Sequence, residues 1–252
     1  MPHRLITHTT QLITVYTRKL LDFLFPPSCP VCGGAVSEHG QLCADCWNKF
    51  DWIGAPLCAR CGYPFPAGID NDGGMLCPDC IGKKTRLDWM RSACVYDETS
   101  RGVTLPFKHG GRLEYRDLMA RSMIAALRGL DGKDVVVLPV PLAALRLWKR
   151  GYNQAALLAR PLAKRLGAKV DYDSVTRIHR ADMGHKNAAQ RKRNVAGVFR
   201  VRRPGKIRGR AILLVDDVFT TGATFGELAR VLRKSGATWV GGATFCRVVR
   251  AI

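Results

Sequence analysis

The sequence predicts an α/β protein: a doubly wound, mostly parallel sheet preceded by a small metal-folded module. Three observations carry this. Apolar runs without alternation recur at Val135 to Val140 and Ala211 to Val215, as in strands covered on both faces. Helical patterns separate such runs, the rhythm of parallel βαβ units. Ahead of them, eight of the ten cysteines stand in four C-x-x-C pairs.

The organisation follows in chain order. Over residues 1–28, apolar positions such as Leu5, Leu12, Tyr16, Leu20 and Leu24 recur at helical spacing, and Thr, Gln, Arg, Lys and Asp interrupt them. The expectation is a docking helix ending at Pro26-Pro27, with no signal peptide and no membrane span, hence a cytoplasmic protein. Residues 29–82 form the cysteine module, with pairs Cys29/Cys32, Cys43/Cys46, Cys58/Cys61 and Cys77/Cys80. A C-x-x-C turn points two thiolates at one ion, and two such turns complete a closed tetrahedral site, so two structural Zn²⁺ ions are expected. A disulfide framework would need an oxidising compartment. Spacing leaves open whether the pairs are used sequentially or interleaved. Cys94 and Cys246 sit in apolar strand contexts and read as buried small hydrophobes.

Residues 88–252 form the α/β domain. A strand over Trp89 to Tyr96 leads to Phe107-Lys108-His109-Gly110-Gly111-Arg112, and a helix follows from about Glu114 to Leu130. Asp131-Gly132-Lys133 breaks it before the Val135 to Val140 strand. A basic loop from Arg146 to Gln154 feeds a helix to about Leu166, with Pro161 expected to kink it. Short strands are expected at Val170 to Ile178 and Val198 to Val201. Between them runs a basic arm without periodicity. From Arg177 to Arg210 there are 12 Lys+Arg and one acid, Asp182, a density that suits a mobile arm over an anionic ligand. After the second apolar run come a helix from about Gly222 to Ser235 and a strand over Trp239 to Val248.

The segment Ala211 to Thr224, AILLVDDVFTTGAT, carries the most chemistry. Ligands of parallel sheets sit at the carboxyl ends of strands, where Asp216 and Asp217 emerge. Thr220, Thr221, Gly222, Ala223 and Thr224 then offer hydroxyls and closely spaced N–H groups at a helix start, an anion site. A plain capped turn is the alternative. Charge points the same way. The chain has 40 Lys+Arg against 20 Asp+Glu. Residues 29–80 hold 2 basic and 6 acidic residues, whereas 81–252 hold 35 and 13, so the later part favours polyanions.

The run LLVDDVFTTGAT resembles the PRPP-binding signature of type I phosphoribosyltransferases. Together with FKHGGR, PVPLAALRLWKRGYNQAALLAR, RNVAGVF and the four knuckles, it resembles the ComF family, whose members include competence-associated proteins. The resemblance implies a phosphoribosyltransferase-like fold behind a double zinc ribbon. It implies that the catalytic pair Asp216 and Asp217 meets the ribose hydroxyls, often through Mg²⁺, and that Thr220 to Thr224 grip the 5-phosphate of PRPP. It places pyrophosphate near Pro139 to Leu142, with Lys108 and Arg150 as PRPP-binding cations, and a lid over roughly His179 to Ala196. Met183 stands where family members often carry Gln, while Arg191 and Asn194 keep the family spacing. Two functions follow: transfer of phosphoribose to an unidentified acceptor, or a single-stranded DNA-binding factor of the DNA-uptake machinery with a regulatory or vestigial PRPP site. For the second, Arg191, Lys192 and Arg193 would neutralise phosphates, and Trp148 or Tyr152 could stack bases.

Overall fold

The computed structural model describes residues 24–69, 73–82, 86–130, 134–178 and 196–249. The expected docking helix, the Asp131-Gly132-Lys133 break and nearly all of the basic arm lie outside them. The chain divides into two compact units, with the break between Asn48 and Lys49.

The first unit is organised by its cysteine turns. The Cys29 N–H donates to the Gly34 carbonyl at 2.7 Å, and the Gly33 N–H donates back to Cys29 at 2.8 Å. Gly33 sits at φ 78°, a left-handed conformation that glycine enters without steric penalty. The short helix α1 (Ala44–Trp47) starts at the second turn, with Cys43 as its N-cap and Cys46 buried.

The second unit begins with the other two knuckles, the later one on α2 (Pro78–Gly82). It continues through β1 (Trp89–Val95), α3 (Glu98–His109), α4 (Tyr115–Ala126), β2 (Val135–Pro139), α5 (Ala144–Arg150) and α6 (Gln154–Leu166). Next come β3 (Lys169–Val170), β4 (Val175–Arg177), β5 (Phe199–Val201), β6 (Ala211–Phe219), α7 (Ala223–Lys234) and β7 (Trp239–Arg247). The main sheet has the order β1-β7-β6-β2-β3, and every pairing in it is parallel.

β6 explains why its sequence does not alternate. Ile212, Leu213, Leu214 and Val215 are each 0% exposed, which requires cover on both faces. Ile212 and Leu214 join Phe225, Leu228, Ala229 and Leu232 of α7 in one cluster. α6 packs on β2 and β6, and α4 packs on β1 and against α6. Burying each such aliphatic side chain contributes about 1.5–3 kcal/mol, so this layer dominates the domain's stability.

Three elements differ from expectation. The stretch after β1 forms α3, whose capping box has Asp97 accepting from the Ser100 N–H at 2.8 Å and Ser100 accepting from the Asp97 N–H at 2.9 Å. The basic loop is helical over α5 and ends at Gly151, which takes φ 79° as its C-cap. The single strand expected over Val170 to Ile178 is two strands in two sheets. Asp171 Oδ1 accepts from the N–H groups of Asp173 (3.1 Å) and Ser174 (3.0 Å), turning the chain between them. β4 then pairs antiparallel with β5. The Ile178 N–H donates to the Val198 carbonyl at 2.8 Å, so the chain enters and leaves the basic arm at neighbouring points.

β1 lies at the sheet edge, and its outer side is occupied. The Ile53 N–H donates to Ala93 at 2.9 Å and the Val95 N–H to Asp51 at 2.8 Å, while Met90 donates to Arg60 at 2.8 Å. Paired in this way, β1 offers little open ladder to another chain.

Candidate functional site

The carboxyl ends of β2 and β6 converge with the C-terminus of α3. Asp216 and Asp217 still belong to β6, and Asp216 pairs with Thr244 of β7. Asp217 is 2% exposed. One of its oxygens, Oδ1, accepts from the Val218 N–H at 3.0 Å. The other, Oδ2, has no hydrogen-bond partner and faces Lys108 Nζ at 3.5 Å. A buried carboxylate oxygen left with only an ion-pair partner is set up to receive a further donor or a cation. Asp216 Oδ1 accepts from the Asp217 N–H at 2.9 Å. Burial, then the adjacent Asp217 charge, holds the Asp216 carboxyl well above the usual carboxylate range, with Lys108 opposing the rise.

Lys108 reaches this point because α3 lies across the sheet end. Val103, Thr104 and Phe107 are buried beneath the helix, and the Thr104 hydroxyl donates to the Ser100 carbonyl at 2.7 Å. His109 follows Lys108. Burial, then the charges of Arg150 and Lys108, push its pKa below the ordinary histidine value, with Asp217 acting in the opposite sense. Lys108, Arg150, His109 and Asp217 thus share one electrostatic neighbourhood.

The Arg150 to Gln154 segment ties the pieces together. Arg150 donates to Gln154 Oε1, and the Tyr152 hydroxyl donates to the Phe107 carbonyl at the end of α3. Asn153 Nδ2 donates to the Val140 carbonyl at 3.1 Å, just after β2, while its Oδ1 caps α6 through the Ala155 N–H at 3.0 Å. Tyr152 is therefore a strut rather than an exposed stacking face, and its ring lies 6.4 Å from that of Phe107. Trp148, by contrast, is 82% exposed.

The Thr220 to Thr224 turn follows β6 directly. Gly222 is the N-cap of α7 at φ 70°, and an added Cβ would lie 2.8 Å from the Phe219 ring. The Ala223 N–H approaches Thr221 Oγ1 at 3.4 Å, and Thr220 is exposed. The structure brings together Lys108, Arg150, Asp216, Asp217 and the neighbourhood of Pro139 to Leu142. Met183, Arg191, Lys192, Arg193 and Asn194 lie outside the described residues. His109 and Asn153 were not singled out from sequence. Their only signal was their place inside FKHGGR and KRGYNQ, which does not say which side chain faces a ligand and which holds backbone.

The cysteines form two groups of four, and the pairs are used sequentially. One group is Cys29, Cys32, Cys43 and Cys46; the other is Cys58, Cys61, Cys77 and Cys80; within each, the sulfurs lie within 4.8 Å of one another. Closest approaches are 3.5 Å for Cys32–Cys43 and for Cys61–Cys77. Such spacing suits four thiolates around one tetrahedral ion with metal–sulfur bonds of about 2.3 Å. Backbone N–H groups already favour the charged sulfurs: Cys77 donates to Cys58 Sγ at 3.3 Å and Gly34 to Cys32 Sγ at 3.4 Å. Burial opposes ionisation of Cys29 and Cys58, yet neighbouring backbone donors outweigh it and lower them to about 6 and about 7. Burial and the neighbouring sulfurs push Cys46 up to about 12. Four such thiols ionise together only around a cation. Cys94 and Cys246 are 0% exposed, and burial pushes Cys246 up to about 12, which leaves it inert.

Comparison with known proteins agrees with this architecture. A family model described as "Double zinc ribbon domain" matches residues 20–81, and one described as "Phosphoribosyl transferase domain" matches residues 117–250. The DNA utilization protein YhgH of Salmonella typhi is 33% identical over 230 residues, covering 88% of this chain and 90% of that protein. Competence protein F of Haemophilus influenzae is 29% identical over 210 residues, covering 80% and 87%. The chain belongs to the ComF family. Another ComF relative, competence protein ComFC of Bacillus subtilis, is 27% identical over 203 residues, covering 78% of this chain and 79% of its own. The phosphoribosyl transferase match takes in Arg150 and the Asp216 to Thr224 segment, whereas Lys108 precedes it. The cation beside Asp217 thus comes from outside the matched residues.

Proposed function

We propose that this ComF protein binds PRPP together with Mg²⁺ at the carboxyl ends of β2 and β6 and transfers its phosphoribosyl group to an acceptor. The observation that carries this is the unsatisfied Oδ2 of Asp217, buried beside Lys108 and a few residues before the glycine-hinged turn. In this reading Asp216 and Asp217 receive the ribose hydroxyls and the Thr220 to Thr224 turn binds the 5-phosphate. Lys108 and Arg150 neutralise the pyrophosphate near Pro139 to Leu142. Mg²⁺, when bound, would screen the phosphates and ease departure of pyrophosphate. The bond from the anomeric carbon to pyrophosphate breaks as the acceptor's lone pair forms the new one. Positioning and fixed charges supply most of the rate.

Calorimetry of PRPP with and without Mg²⁺ tests this directly. We expect binding that depends on Mg²⁺ and is abolished in Asp216→Asn/Asp217→Asn. Absence of PRPP binding by the wild-type protein removes the reading.

A second reading has its own observation. α5 buries none of its residues and carries Trp148, 82% exposed, between Arg146 and Lys149. An exposed aromatic flanked by cations suits single-stranded nucleic acid, where stacking contributes about 1–3 kcal/mol per base. The names of the relatives place them in DNA utilization and competence, and a cytoplasmic role in handling incoming single strands fits this surface. Among the described residues no helix is long and apolar enough to cross a membrane. The same double variant should leave single-stranded DNA affinity nearly intact, whereas equal loss of both affinities would show one shared site.

A further inference from the structure

Arg247 is the last residue of β7 and is 5% exposed, an uncommon burial for a guanidinium. Its Nη1 donates to the Cys61 carbonyl at 2.6 Å. Its guanidinium lies 5.5 Å from the centre of the Tyr63 ring and 5.4 Å from that of Phe219. Nε has no hydrogen-bond partner. A buried cation held by one carbonyl and two ring faces calls for a compensating charge nearby. The second four-cysteine group supplies it, because four thiolates outweigh a divalent ion by about two negative charges.

Each end of this contact is mechanically fixed. On one side, the Gly62 N–H donates to the Cys58 carbonyl at 2.9 Å, and a Cβ on Gly62 would lie only 2.6 Å from the Met90 carbonyl. The knuckle is therefore seated directly on β1. On the other side, Phe219 ends β6, and its carbonyl accepts from the Val248 N–H at 2.9 Å. Its ring packs edge-on against Phe225 at 5.5 Å and presses against Gly222, the hinge of the threonine turn.

We propose that Arg247 is a positioning residue that clamps Phe219 between the backbone of the Cys58/Cys61 knuckle and the Thr220 to Thr224 turn, so that an intact knuckle holds the phosphate-gripping turn in its binding shape. This rests on the phosphoribosyl reading of that turn. The zinc group then acts on ligand affinity through a side chain that touches neither the ion nor the ligand. Arg91 is the natural control. It holds the same knuckle through the Ala59 carbonyl at 3.1 Å, while its ring contact is with Trp89 at 4.6 Å rather than with Phe219.

The test compares wild type, Arg247→Met, Arg247→Lys, Phe219→Leu and Arg91→Met by zinc stoichiometry, melting temperature and calorimetric PRPP affinity in Mg²⁺. In Arg247→Met and Phe219→Leu we expect unchanged zinc content but PRPP affinity about tenfold weaker, within the usual range of coupling between sites. Arg247→Lys restores part of the loss, and Arg91→Met stays within about twofold of wild type. Wild-type affinity in both Arg247→Met and Phe219→Leu overturns the clamp, as does an equal loss in Arg91→Met. If Arg247→Met does not fold, Arg247→Lys and Phe219→Leu decide alone. A wild-type protein that binds zinc but no PRPP overturns the ligand reading itself, a distinct result that removes the clamp's purpose with it.

Discussion

Asp216 is a liability in the ligand-free protein. Its carboxyl is held above the usual range by burial and by Asp217, so the folded state holds this proton to higher pH than the unfolded chain does. The sign follows. With the folded pKa raised above the unfolded value of about 4, this group favours folding at low pH and increasingly opposes it as pH rises. Asp216→Asn should therefore raise the melting temperature at pH 7.5, by about 2–4 °C for each kcal/mol relieved, with the gain shrinking towards pH 4. The same variant should lose Mg²⁺-dependent PRPP binding. A thermal shift series across pH, with PRPP present and absent, reads both effects; a lower melting temperature for Asp216→Asn at pH 7.5 would contradict the assignment.

The turn from Thr220 to Thr224 shows what a short element needs from its neighbours. Gly222 adopts φ 70° against the Phe219 ring, so Gly222→Ala meets both an unfavourable backbone conformation and a 2.8 Å contact. The backbone effect alone is about 1–2 kcal/mol. Denaturant unfolding should show at least that loss, together with weaker PRPP binding, and a neutral result would mean the turn relaxes freely. Legibility in the sequence also differs by element. β2 and β6 were plain because uninterrupted apolar runs have few alternative structures. α3 was missed because Gly102 and Pro106 interrupt it, although Asp97 and Ser100 stand at capping-box spacing. The break between β3 and β4 was hidden because the Asp171 turn is a local hydrogen-bond pattern inside an otherwise strand-like run. At the site, Asp216, Asp217 and the threonine turn could be located from order along the chain. The Lys108–Asp217 pair needs α3 folded across β6, and the role of Arg247 needs two segments 186 residues apart, which no local pattern records.

At the scale of the molecule, charge and edge control dominate. The excess of basic residues lies after residue 81, and the stretch from Arg177 to Arg210, which includes the arm between β4 and β5, carries 12 Lys+Arg against one acid. Neutralising phosphates releases counterions, so any single-stranded DNA affinity should fall steeply with salt, with a slope of about 0.7 per phosphate contact. Lys192→Glu/Arg193→Glu should weaken that affinity and flatten the slope while leaving PRPP binding in place. Fluorescence anisotropy at several salt concentrations measures it, and an unchanged slope would exclude the arm as the contact.

The segment around Asp51 to Ile53 and the Arg60 carbonyl occupies the free side of β1. The rear half of the zinc ribbon is thus also the outermost strip of the sheet, and the two inherited parts are not interchangeable cassettes. A lineage that discarded the ribbon would bare a parallel sheet's edge to its own copies. Loss of the second cysteine group should therefore free the outer side of β1 and favour self-association through it, whatever the metal does for the ligand site.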